Sequence, residues 1–303
     1  MSLNKDSKNI VVFITSFNRR ETTLRSLEKL NQETASSSHV FSIYLMDDLS
    51  PDGTGEEVKR KFPDVNVLYG SGKLYWAGGV RLILDIIGED LKDYDAILLI
   101  NDDVMLNPGA LDSLVSSAFS QNAIIGGTVM TLDGQLESSG SLLGKFCKPK
   151  TRLLMANGCI QKCDLLPGHI MMIPMRIYEN LNGFDNQLPY RFLDFEFTHR
   201  ASQSGINVLL APEVVAITDE VHDYYQETSS MRGSLSDLTS RILLDPKGPY
   251  WRESIHYLRK VSPFLWWAWL PFFYRAFFVA VFRSYLEKIP FLKKSNSLVK
   301  LER

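Results

Sequence analysis

Two pairs of adjacent aspartates each follow directly on a short apolar run: Asp47-Asp48 after Phe41–Met46, and Asp102-Asp103 after Ala96–Ile100. A third acidic pair, Asp194 and Glu196, opens a segment with helical spacing. Short apolar runs of this kind read as buried strands, and a carboxylate right behind one emerges at the sheet's carboxyl edge. Open α/β sheets bind their ligands at that edge. Carboxylates gathered there can hold a divalent cation, bind sugar hydroxyls and act as a general base. That combination suits chemistry on a nucleotide diphosphate.

The first part of the chain alternates such runs with helical patterns. Ile10–Ile14 precedes Leu24, Leu27 and Leu30 at helical spacing, and Phe41–Met46 precedes Thr54-x-x-Glu57, which reads as a capping box with Val58 and Phe62 on the buried face. Val65–Tyr69 leads into a helix expected to bury Leu82, Ile83, Ile86 and Ile87. Ala96–Ile100 leads to Asn107-Pro108, an expected helix start, followed by Leu111, Leu114, Val115 and Ala118 as its apolar stripe. This rhythm predicts a mostly parallel, doubly wound sheet. Beyond residue 120, Ala123–Met130, Ile170–Ile173, Val208–Leu210 and Val214–Thr218 are further strand candidates. Asp194–Ser204 reads as a helix closed by Gly205.

Among 303 residues, 45% are hydrophobic and 22% charged, as in ordinary globular chains. A net charge of -2 argues against a nucleic-acid partner. Cys147, Cys159 and Cys163 are too few and too odd in number for a disulfide framework. Cys159-x-x-x-Cys163 has no second pair to complete a zinc site, so two free thiols are expected. The polar stretch Met1–Lys8 runs straight into the first strand, which predicts a cytoplasmic chain.

The last third differs in character. Residues 219–249 read as polar loop, whereas Val261–Phe282 is apolar and aromatic, with Trp266, Trp267 and Trp269 and Arg275 as its single charge. Its length would suffice to span a bilayer, but Pro271 and Arg275 near the middle count against spanning. Clustered tryptophans flanked by Arg283, Lys288, Lys293 and Lys294 suit peripheral membrane contact at the inner face of the cell membrane. Packing on the main domain, or on a second copy as a homodimer, is the competing expectation.

Glycine-rich phosphate loops are absent where they would be needed. The first strand ends in Thr15-Ser16-Phe17-Asn18-Arg19, with no glycine, so there is no dinucleotide fingerprint. Gly70-Ser71-Gly72-Lys73 lacks the earlier P-loop glycine, where Val67 stands, and has Leu74 in place of the magnesium-binding hydroxyl.

The segment Asp47-Asp48-Leu49-Ser50-Pro51-Asp52-Gly53-Thr54 resembles the D-D-x-S-x-D-G-T signature of family 2 glycosyltransferases. Four more segments match that family in order: the turn Thr15–Arg19; Trp76-Ala77-Gly78-Gly79 with Arg81; Asn101-Asp102-Asp103 in place of its D-x-D; and Gly183-Phe184-Asp185 with Asp194-x-Glu196 and Arg200. The set covers about residues 10 to 220 and is most similar to bacterial rhamnosyltransferase-type members.

The resemblance implies a GT-A α/β fold over residues 1–220: a Rossmann-like, mostly parallel sheet flanked by helices, with a helical aromatic appendage over 221–303. It makes Thr15, Phe17, Arg19, Asp48, Trp76, Gly78, Gly79 and Arg81 nucleotide-sugar contacts, Asp48 to the base, and Asp102 a ribose or sugar contact. Asp103 becomes the ligand of Mn²⁺ or Mg²⁺, with His222 as a further ligand, and His169 an acceptor contact. Asn101 replaces the first aspartate of the D-x-D, and Leu193 replaces the first acid of the family's E-D pair. The catalytic base therefore stays open between Asp194 and Glu196.

The activity implied is metal-dependent, inverting transfer of a sugar from a UDP- or dTDP-linked donor. The acceptor would be a hydroxyl of a saccharide or lipid-linked saccharide in bacterial surface polysaccharide synthesis. Two other readings share the features: a sugar-phosphate nucleotidyltransferase, and a non-catalytic assembly partner at the membrane.

Overall fold

Alternation along the first strand sets up two apolar layers. In β1 (Asn9–Ser16), Ile10, Val12 and Ile14 face one side of the sheet and Val11 and Phe13 the other, all of them buried. A strand buried on both faces needs helices on both faces. In this computed structural model, which describes residues 7–144, 148–219, 235–245 and 250–286, α1 (Arg20–Ser36) covers the first face and α3 (Tyr75–Ile87) the second. Between them lie β2 (Val40–Asp47), α2 (Thr54–Lys61) and β3 (Asn66–Tyr69). After α3 come β4 (Ala96–Ile100), the short β5 (Met105–Leu106) and α4 (Ala110–Ser120).

The second half adds β6 (Ala123–Thr131), β7 (Leu136–Ser138), β8 (Ser141–Gly144), β9 (Lys148–Leu153), β10 (Gln161–Lys162) and β11 (Ile170–Pro174). It closes with α5 (Met175–Asn180), α6 (Leu193–Gln203) and β12 (Asn207–Thr218). The central sheet runs β10-β12-β6-β11-β4-β1-β2-β3. β3, β2, β1 and β4 are mutually parallel, and β6 and β12 are parallel to each other. β11 enters antiparallel between β4 and β6. β8 and β9 form a separate hairpin.

The chain divides into two compact units, Met1–Val221 and His222–Arg303. The second contains α7 (Leu235–Leu244), α8 (Trp251–Val261), α9 (Trp266–Phe273) and α10 (Arg275–Leu286). Among the described residues, no helix is long and apolar enough to cross a membrane.

The expected strands are all present, β5 and β7–β10 are additional short ones, and the other differences have local causes. Val208–Leu210 and Val214–Thr218 are one strand, β12, whose pairing with β6 shifts register between Leu210 and Val214. Pro212 lies in that gap and has no N–H to give a ladder. Thr54 is not an N-cap but the first helical residue of α2, after Gly53 at φ 75. Asp52 accepts the Thr54 N–H, while Glu57 binds Arg60 and Lys61, so no capping box forms. In α3, Ile83 and Ile87 are buried, but Leu82 is half-buried and Ile86 exposed; Ala77, Gly79 and Val80 complete the buried stripe. Part of the expected 219–249 loop is helical, as α7.

The start of α4 lies two residues beyond the expected Asn107-Pro108. Asn107 uses its side-chain amide to donate to the Val214 carbonyl, and Gly109 at φ 78 becomes the N-cap. The capping acceptor comes from another helix. Buried Glu33 on α1 accepts the Gly109 N–H at 3.1 Å and the Leu111 N–H at 3.4 Å, satisfying helix-terminal donors that have no intrahelical partner. Glu33→Ala is expected to lower stability by about 1 kcal/mol, the typical worth of a lost cap. A urea titration would show this as a lower midpoint at unchanged slope.

Candidate active site

Parallel pairing brings the carboxyl ends of β1, β2 and β4 to one edge, marked by Ser16, Asp47 and Ile100. Because β11 is antiparallel, its beginning reaches the same edge. Ile170 pairs with Ile100, and the Asn101 N–H donates to the His169 carbonyl at 3.0 Å. Residues from four distant stretches therefore converge.

The D-D-x-S-x-D-G-T segment is knotted by its own side chains. Asp47 accepts hydrogen bonds from the Ser50 and Gly55 N–H groups, both at 3.1 Å, and from the Ser50 hydroxyl. Asp52 accepts from the Arg20 N–H at 2.9 Å and so pins the start of α1. Asp48 accepts from the N–H groups of Gly72 at 2.7 Å, Leu74 at 2.8 Å and Tyr75 at 3.2 Å. Its carboxylate, expected on a nucleotide base, thus also shapes the loop that leads into α3.

Close approaches join the remaining segments. A Cβ on Gly79 would meet the Thr15 side chain at 2.7 Å, and one on Gly168 would meet the Trp76 ring at 2.2 Å. Gly78 packs beneath the Pro189 carbonyl. The strand-end turn, the start of α3 and the Gly168-His169 loop therefore touch only because these positions lack side chains. Phe17 is exposed beside them. Of six non-glycine residues at positive φ among the described residues, four border this edge: Asn18, Leu49, Tyr75 and Phe192. Strain held in this way tends to collect at functional sites.

Asp102 and Asp103 are both buried, and one guanidinium serves them: Arg19 lies 3.3 Å from Asp102 and 3.1 Å from Asp103. Thr23 donates to the other oxygen of Asp102 and is itself within 2.9 Å of the Ser16 hydroxyl. Burial pushes the Asp102 carboxyl up to about 6, against the nearby Arg19 charge, and Asp103 adds to the rise. Ser16 lies in the matched Thr15–Arg19 turn, whereas Thr23 was not anticipated from sequence, although it sits on the same i, i+3, i+4 stripe as Ser26, Leu27 and Leu30.

Metal fit follows from the donors present. Two carboxylates share one cation, and the side-chain oxygen of Asn101 is buried with no hydrogen-bond partner. An all-oxygen set with excess negative charge suits a hard divalent ion. No group of three or more His, Cys, Asp or Glu forms a ready cage among the described residues. Such an ion would need ligand oxygens to complete its shell. His222 lies outside the described residues, as does Cys147. Cys159 and Cys163 are free thiols, the latter buried.

At the other side of the edge, both oxygens of half-buried Asp194 are oriented by backbone donors. The Gly168 N–H donates to one at 2.7 Å and the Phe195 N–H to the other at 2.8 Å. Burial raises its carboxyl above the usual aspartate range, against these hydrogen bonds and the Arg191 charge. Glu196 is placed differently. It is 1% exposed, and Arg200 binds both of its oxygens, at 2.9 and 3.0 Å. Arg200 also donates to the carbonyls of Leu181 and Gly183. Arg81 grips the same loop, donating to the Asp185 and Leu188 carbonyls and the Asn186 side chain. Arg81 and Glu196 thus brace the Gly183–Leu188 loop that leads into α6, apart from the Asp102-Asp103 pair.

Arg200→Met removes the cation bound to both oxygens of buried Glu196 and should destabilise the fold by about 3–5 kcal/mol. Chemical denaturation measures this. An unchanged midpoint would return Glu196 to the candidates for catalytic base.

Residues 8–239 match the family model described as glycosyltransferase like family 2. The chain is 21% identical over 246 residues to N-acetylglucosaminyl-diphospho-decaprenol L-rhamnosyltransferase of Mycobacterium tuberculosis, covering 73% of this chain and 80% of that protein. Among solved structures it resembles GalNAc-T7 with UDP, GalNAc and Mn²⁺, at TM-score 0.52 and 12% identity over 78% of this chain. It spans about half, 54%, of that protein. It also resembles the mannosyltransferase PcManGT of Pyrobaculum calidifontis in complex with GDP-Man and Mn²⁺, at TM-score 0.50 and 13% identity, covering 99% of this chain and 82% of the other. At these identities the likeness establishes the fold as GT-A.

Proposed function

Because the chain belongs to the glycosyltransferase like family 2 and is a glycosyltransferase, we propose that it moves one sugar, with inversion, from a nucleotide diphosphate to a saccharide hydroxyl. The donor would be UDP- or dTDP-linked. The acceptor would be a lipid-linked saccharide of the cell envelope. That class is the one in the name of the mycobacterial relative. The observation that carries the reading is the convergence of a cation-sharing aspartate pair and a separately oriented, half-buried aspartate on one sheet edge.

The Thr15–Arg19 turn, the Asp48-shaped loop and the start of α3 would hold the nucleotide. Arg19, already bridging Asp102 and Asp103, is positioned to share its charge with a diphosphate. Asp103 and Asn101 would hold Mn²⁺ or Mg²⁺, with phosphate oxygens completing the shell. When bound, the ion offsets the charge that develops on the departing diphosphate. Asp194 would take the proton from the acceptor hydroxyl as that oxygen attacks the anomeric carbon. Its orientation by Gly168 and Phe195 removes rotational freedom the transition state would otherwise have to freeze. His169, next to Gly168, would meet the acceptor. A single base suffices for inversion, since no covalent sugar–enzyme intermediate is needed.

Calorimetric titration of UDP and dTDP, with Mn²⁺ and again with EDTA, tests the donor site. Tight binding that needs the metal and is lost in Asp103→Ala is expected. Binding of neither nucleotide would overturn the reading.

The raised carboxyl of Asp194 gives a paired prediction. Its base form is present only above that raised pKa, so the rate should fall as pH drops through it, with an acid limb above the usual aspartate range. For stability the sign is opposite. A folded-state pKa above the unfolded one adds stability that is complete at low pH and lost as pH rises through the folded pKa. Asp194→Asn should therefore lose about 10²-fold or more of turnover while keeping or raising its melting temperature at neutral pH. Retained turnover would remove Asp194 as the base and return that role to Glu196.

A further inference from the structure

Charge is distributed unevenly along this chain. After residue 249 there are ten Lys and Arg against three Asp and Glu, a net of +7; the first 249 residues carry 23 against 32, a net of -9. The cationic stretch also exposes large apolar side chains. Phe264 is 90% exposed, Phe282 62% and Trp267 61%, with Leu265, Phe278, Val279 and Val281 exposed as well. An exposed apolar set of this size marks a binding surface rather than ordinary surface.

Helix geometry restricts what can cover it. Pro271 lies inside α9, and the path breaks at Tyr274, leaving helices of 8 and 12 residues. A transmembrane span needs about 20. Neither helix can cross a bilayer alone, yet both can lie in its surface. Exposed Arg252, Arg259, Lys260 and Arg275 accompany the apolar residues, and two of these cations sit over tryptophan rings: Arg259 at 4.5 Å from Trp266 and Arg252 at 5.4 Å from Trp251. Aromatic rings with adjoining cations are the composition of the headgroup layer of a membrane-bound helix.

We propose that α9, α10 and the Phe264-Leu265 turn before them dock in the plane of an anionic bilayer, inserting Phe264, Trp267 and Phe282 among the lipid chains. The basic residues after residue 249 supply the electrostatic part, each adding to attraction for anionic headgroups and all of it screened by salt. A second copy of the chain is a poorer occupant, because two C-terminal stretches that each carry a net +7 would repel each other. This surface is argued independently of the reaction at the sheet edge. A failure of one leaves the other standing.

The test is co-sedimentation of the full chain with neutral phosphatidylcholine vesicles and with vesicles containing phosphatidylglycerol. Binding to the second alone, weakened by added salt, is the expected result. The triple variant Phe264→Ser, Trp267→Ser, Phe282→Ser should lose roughly tenfold or more in vesicle affinity. Its melting temperature and nucleotide binding should match the parent, showing that it folds. No sedimentation with anionic vesicles overturns the proposal. So does vesicle binding unchanged in a folded triple variant, or a dimer by light scattering that the three substitutions dissociate and vesicles leave intact.

Discussion

Carboxylates that accept backbone N–H groups hold the working edge of this protein together. A loop without secondary structure leaves its donors unsatisfied, and burying them unpaired is costly. Here Asp47 takes the donors of Ser50 and Gly55, Asp48 those of Gly72, Leu74 and Tyr75, and Asp52 those of Arg20 and Thr54. Asp194 takes those of Gly168 and Phe195, and away from this edge, near the far end of α1, Glu33 takes those of Gly109 and Leu111. Charge-assisted bonds of this type are about twice as strong as neutral ones. They fix irregular segments as firmly as a strand ladder would.

The same economy distinguishes the acids by how fully their oxygens are engaged. Glu196 is sealed by Arg200 into the support of the Gly183 loop. Asp102 and Asp103 are different: they share one part-exposed guanidinium, and burial makes one of them reluctant to ionise. Asp194 is intermediate, held in orientation by Gly168 and Phe195 but only half-buried.

Glycine determines how closely these parts approach. Gly168 lies flat on Trp76 and Gly79 on Thr15, so a loop before β11 and a helix after β3 meet across the strand ends. These contacts are steric and long-range. They give Trp76, Gly78 and Gly79 a packing role whatever they touch in a ligand, and they link the Asp48 loop to the Asp194 helix through one continuous surface.

Much of the framework was legible in the residues themselves. Alternating apolar runs located β1, β2, β4 and β11 within a residue or two, because a strand buried on both faces must be apolar throughout. Acids behind β2 and β4 marked the edge, and the ordered motifs marked the family. Helix starts were misread where the capping group was remote in sequence, as with Glu33 and α4, since local patterns cannot reveal a partner more than seventy residues away. The division of labour among the acids escaped for the same reason. Asp48 and Glu196 look as available as Asp103 and Asp194 in the sequence, and only the fold brings the loop N–H groups to one and Arg200 to the other. Sequence determined which residue types reach the carboxyl edge; tertiary structure decided which remain able to react there, because hydrogen-bond saturation is set by neighbours in space.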